Sequence, residues 1–72
     1  MRPDIAVRFG QAVRKLRQER NISQEELAER CGLHRTYISD IELGKRNVSL
    51  ENIERLAAAL DRSLSDLFKE VE

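Results

Sequence analysis

The side chains best equipped for chemistry in this 72-residue chain are hydrogen-bond donors grouped near its middle. Arg35, Thr36 and Tyr37 stand in a row, and Ser39 and Asp40 follow on the next turn. Lys45, Arg46 and Asn47 form a second polar cluster. An arginine guanidinium can grip the O6 and N7 atoms of a guanine with two hydrogen bonds, worth about 1–3 kcal/mol of discrimination. Threonine can hydrogen-bond a base or a phosphate, or touch a thymine methyl. Tyr37 can reach a phosphate or a base, or simply pack the helix that carries it. Asp40 can accept from a cytosine amine or point away, because a carboxylate among phosphates is costly. Lys45-Arg46-Asn47 suits clamping of a phosphate backbone, with Arg46 entering a groove, although a basic loop can equally be plain solvated surface.

Other chemistries lack their parts. One His, one Cys and no glycine-rich phosphate loop leave no catalytic constellation, so the protein is not expected to be an enzyme. Cys31 and His34 are too few ligands for a metal site, and a lone Cys excludes an internal disulfide. Neither a cofactor nor a small-molecule ligand is expected. No apolar run approaches the roughly 18–20 residues of a membrane span, and the first residues begin no signal peptide, so the expected location is cytoplasmic.

The donors need elements to hold them, and residues 23–43 meet the demands of a helix-turn-helix. Two helices crossing steeply need a small residue at their closest approach, which is Ala28. Four positions later they need a residue tolerant of positive φ, which is Gly32. Ile38 and Ile41 then pin the second helix to a core, and that helix can lie in the major groove. Ser23-Gln24-Glu25-Glu26 fits a capping box, the Ser23 hydroxyl taking the Glu26 amide and the Glu26 carboxylate returning to the Ser23 amide.

Apolar residues elsewhere repeat at helical spacing, which predicts an all-α chain of five short helices. Ile5, Phe9, Ala12, Val13 and Leu16 share one face of a first helix ending near Asn21. Ser49 caps a fourth helix with Ile53, Leu56, Ala57 and Leu60 inward. Leu64, Leu67, Phe68 and Val71 fall on one side of a fifth. Without repeats or a linker, residues 1–72 read as a single domain, with 49–71 supplying core and dimerisation. Leu64 and Leu67 are expected to face the core, while Phe68 and Val71, with part of the fourth helix, form an isologous interface; an intramolecular role for Phe68 is the alternative.

Thirteen Lys and Arg balance thirteen Asp and Glu, but unevenly along the chain. Residues 1–46 hold ten bases and seven acids, a net +3; residues 47–72 hold three bases and six acids, a net −3. That asymmetry fits a basic half turned to phosphates and an acidic half held away, and it also fits a mixed solvated surface.

Ser23 to Ala28, Gly32-Leu33, Tyr37 to Glu42 and Gly44 to Asn47 together resemble the Cro/C1-type (Xre) helix-turn-helix regulators of bacteria and phages. The resemblance runs from Phe9 to Phe68 and implies a five-helix, lambda-repressor-like bundle. Within that family, His34 to Ser39 followed by Arg46 to Leu50 is similar to the controller proteins of restriction–modification systems, small homodimeric regulators. The resemblance implies that Gln24 contacts a phosphate and that Arg17 and Glu42 form a semi-buried pair tying the first helix to the recognition helix. Leu43 stands where the family often has a basic residue, and Asp61 where it usually has Gly.

The expected function is therefore a sequence-specific regulator of transcription. It would act as a homodimer on a short inverted repeat in double-stranded DNA, recruiting or blocking RNA polymerase. DNA-binding residues would be Gln24, Arg35, Thr36, Tyr37, Ser39, Lys45, Arg46 and Asn47. A phage-type repressor and an antitoxin are alternatives of the same class. A helical protein-interaction module that does not bind DNA is the alternative from a different class, favoured by the neutral net charge and opposed by Arg35, Gln24 and Arg46.

Overall fold

Side-chain caps and left-handed residues divide the chain into its elements. In the computed structural model, which describes residues 4–71, five α-helices follow one another: α1 (Ile5–Glu19), α2 (Gln24–Cys31), α3 (Arg35–Glu42), α4 (Leu50–Ala59) and α5 (Leu64–Lys69). Asp4, Ser23, Ser49 and Ser63 each accept a backbone amide at a helix start, satisfying donors that the helix cannot use itself. Asn21, Gly32, Gly44 and Asp61 take the positive φ that turns the chain after a helix. At Ser23 only half of the expected capping box forms. The hydroxyl takes the Glu26 amide at 3.0 Å, but the Glu26 carboxylate bonds to Arg30 at 2.6 Å, one helical turn on.

Val13, Leu27, Ile38, Ile41, Leu56, Leu60 and Leu67 are almost fully enclosed, so every helix contributes to one core. Cys31 is a small member of that core. Two glycines let α1 lie directly on α3 and its exit. A methyl group at Gly10 would collide with the Ile41 carbonyl oxygen and sit 3.0 Å from that of Glu42. One at Gly44 would lie 2.7 Å from a Val7 methyl.

Three apolar positions differ from expectation. Ile5 is half-exposed at the first turn of α1, at the rim of the core and not within it. Along α5 the roles of two residues are exchanged: Val71 is buried, whereas Leu64 is 43% exposed. The cause is length. The helix ends at Lys69, and the Val71 amide bonds to the Phe68 carbonyl in a closing turn. The helical spacing from Leu64 therefore does not extend to Val71, which folds under the bundle and is not available as an interface residue. Phe68 is 44% exposed while packing on Phe9, with ring centroids 6.3 Å apart.

Candidate nucleic-acid interface

The first turn of α3 presents Arg35 and Thr36 to solvent while Ile38 and Ile41, on the opposite side, sink into the core. The Arg35 side chain has no ion pair or hydrogen bond among the described residues, and neither has the side chain of Lys45 on the loop beyond. A guanidinium left unpaired at the start of a helix anchored from behind is well placed for an external acceptor.

What anchors α3 is a buried carboxylate. Glu42 accepts from Arg17 twice, at 2.7 Å to Nε and 3.0 Å to Nη2, and from the Gln24 amide nitrogen at 3.0 Å. Arg17 also donates to the Ile22 carbonyl at 2.9 Å, reaching into the link between α1 and α2. Both charged side chains are largely enclosed, 12% exposed for Arg17 and 3% for Glu42. Paired and hydrogen-bonded in this way, they fix the relative positions of α1, α2 and α3. The expected pairing is thus present, and it includes Gln24. A primary amide has two N–H donors, so Gln24 keeps one for an outside oxygen while Glu42 holds the other.

The second polar cluster is tied to α3 in a way the sequence did not signal. The Lys45 amide bonds to the Asp40 carbonyl at 2.9 Å, folding the loop back on the helix. Arg46 then pairs with the Asp40 carboxylate at 3.2 Å and lies over the Tyr37 ring, 5.3 Å from its centroid. The Tyr37 hydroxyl accepts from Asn52 at 3.3 Å, which joins this group to α4. Tyr37 therefore packs and supports. Asp40 and Arg46 hold each other, while Asn47 and Thr36 remain exposed and Ser39 is half-buried. Asn52 is the residue that sequence reasoning missed; its only signal is a lone polar side chain on the face of α4 that carries Ile53.

A second kind of surface adjoins this one. A cleft of about 150 Å³ is lined by Ile5, Ala6, Phe9, Val48, Ile53 and Phe68, together with Arg46 and Asn47. A neighbouring groove shares Ile53 and Phe68 and continues to Leu50 and Leu64. A largely apolar face, bordered by Glu51 and Glu54, thus runs from the start of α1 across α4 to α5.

A family model for helix-turn-helix domains matches residues 13–67. The chain belongs to the Cro/C1-type helix-turn-helix family. Among relatives of this Cro/C1-type protein, control protein C.MunI from Mycoplasma sp is 51% identical over 70 residues, covering 96% of this chain and 95% of the relative. Control protein C.BamHI from Bacillus amyloliquefaciens is 56% identical over 68 residues, covering 93% and 84%. The crystal structure of the restriction–modification controller protein C.AhdI from Aeromonas hydrophila superposes with a TM-score of 0.85 at 51% identity, covering 88% of this chain and 96% of that one. The family is one of DNA-binding regulators rather than enzymes, and members of this kind bind double-stranded DNA. No helix among the described residues is long and apolar enough to cross a membrane.

Proposed function

We propose that this protein is a transcriptional regulator of the restriction–modification controller type, a homodimer that reads a short inverted repeat. The observation that carries this reading is Arg35, exposed and unpaired at the start of a helix that Arg17, Gln24 and Glu42 fix from behind. In a helix-turn-helix protein that end of the helix meets the base edges. Arg35 and Thr36 read bases, and Ser39 on the next turn supports them. Gln24, Lys45 and Asn47 hold phosphates, while Arg46 and Tyr37 act together at the margin of the groove.

One such helix reads only a few bases, so two copies are needed for a specific site. Phe68 with Leu50, Ile53 and Leu64 offers the apolar patch for a two-fold contact, which would place half-sites about 34 Å apart. Bound there, the dimer acts by position, recruiting or blocking RNA polymerase at the adjacent promoter.

Selection from a pool of random duplexes tests the reading, with wild type beside Arg35→Ala. Wild type is expected to recover a two-fold-symmetric sequence, and Arg35→Ala to lose preference at one position in each half. Sequence-blind recovery by both proteins would refute it in favour of an interaction module.

A further inference from the structure

We propose that Asp40 is a specificity-determining positioning residue, holding Arg46 so that it reads a base edge instead of reaching for phosphates. The inference rests on the DNA-binding reading above. A single carboxylate oxygen, Oδ2, lies 3.2 Å from both Nε and Nη2 of Arg46. A guanidinium has five N–H donors in a fixed plane. Asp40 thus takes the donors along one edge, leaving Nη1 and the outer hydrogen of Nη2, a parallel pair at the end of the fork. Such a pair matches the O6 and N7 acceptors of a guanine.

The remaining freedom of Arg46 is removed from below. Tyr37 and Asp40 are three residues apart, so they share a face of α3. The Tyr37 ring lies beneath the guanidinium, and Asn52 holds the Tyr37 hydroxyl from α4. Gly44, at φ 76°, and the Lys45-to-Asp40 backbone bond bring the loop over that face. An arginine on a loop ordinarily samples many rotamers and meets the nearest phosphate. Here it is restrained in plane and direction before DNA arrives, so less ordering is needed when it binds. Asp40 also adds a negative charge beside Arg46, which disfavours non-specific contact with phosphates.

The test extends the random-duplex selection to Asp40→Asn, Asp40→Glu, Arg46→Ala and the Asp40→Asn/Arg46→Ala double variant. Arg46→Ala is expected to lose preference at one base pair in each half-site, distinct from the position that depends on Arg35. Asp40→Asn should lose preference at the same base pair, and Asp40→Glu, which keeps the charge, should recover much of it. Affinity of Asp40→Asn for an unselected mixed-sequence duplex should rise about two- to five-fold, the range expected for release of an exposed ion pair. That rise should be absent from the double variant.

Full sequence preference in Asp40→Asn would overturn the proposal. Equal tightening on every duplex would do so too, making Asp40 a simple brake on Arg46. An Arg46→Ala variant with unchanged preference would also overturn it. Failure of wild type to recover any preferred sequence would instead remove the DNA-binding reading on which the proposal stands.

Discussion

At the scale of single residues, the decisive group is Glu42, because its three hydrogen bonds join three helices. Removing one partner of an enclosed ion pair leaves the other charge uncompensated, at a cost of about 3–5 kcal/mol. Glu42→Ala is therefore expected to lose much of the stability of so small a domain, read as a lower midpoint in urea. Replacing Arg17 and Glu42 together with Met and Leu should cost markedly less. The pairing was legible by resemblance, but the place of Gln24 in it was not, since nothing in the order Ser-Gln-Glu-Glu shows that an amide will meet a carboxylate 18 residues away. Cys31 gives a second test. Burial pushes its thiol from the ordinary 9.0 up to about 11. Between those values the unfolded chain has released a proton that the folded chain retains. The contribution of this group to stability is thus complete below pH 9 and declines as pH rises towards 11. Comparing urea midpoints of wild type and Cys31→Ala across that range should show the steeper decline in wild type, since the raised Lys15 ammonium titrates in both proteins, and the native thiol should resist modification.

At the scale of elements, caps and crossings explain both what could be read early and what could not. Ser23, Ser49 and Ser63 mark helix starts by side-chain chemistry confined to three residues, and Gly32 and Gly44 mark the turns, so most boundaries were legible. Gly10 gave no such signal, because mid-helix glycine looks only like a weak helix former. Its purpose is set by α3, whose carbonyls leave no room for a methyl group. Gly10→Ala should force α1 away from the recognition helix, at a cost of about 1–3 kcal/mol. Thermal unfolding measures this, and Ala6→Gly, near the start of the same helix, controls for helix propensity. Ser23→Ala should cost about 1 kcal/mol through the lost cap alone. The fifth helix was misread for a different reason. Helical periodicity assumes that the helix continues, and a six-residue helix ends before Val71, which the closing turn buries, while Leu64 at the first position of the helix is exposed.

At the scale of the whole molecule, a net charge of zero conceals a division of labour. Among the described residues the motif half carries Arg14, Arg35 and Lys45 with side chains free of ion pairs, while the C-terminal half carries the exposed Leu50, Leu64 and Phe68. In the function proposed above, one half makes the DNA contacts and the other sets their spacing. Phe68→Glu should therefore shift sedimentation from dimer to monomer while the helices persist, and weaken operator binding at least about ten-fold with every DNA-facing side chain intact. The helix-turn-helix was legible because steric demands fix it within some twenty residues. The coupling between Arg46, Tyr37, Asp40 and Asn52 was not, because it depends on how a loop and a fourth helix return to the third. The account is tested most directly by titrating the selected duplex with wild-type protein over a series from about 50 to 200 mM salt. It predicts two chains per duplex and a logarithm of affinity that falls linearly with the logarithm of salt, by about 0.9 for each phosphate neutralised. A flat salt dependence, or saturation by one chain per duplex, would contradict it.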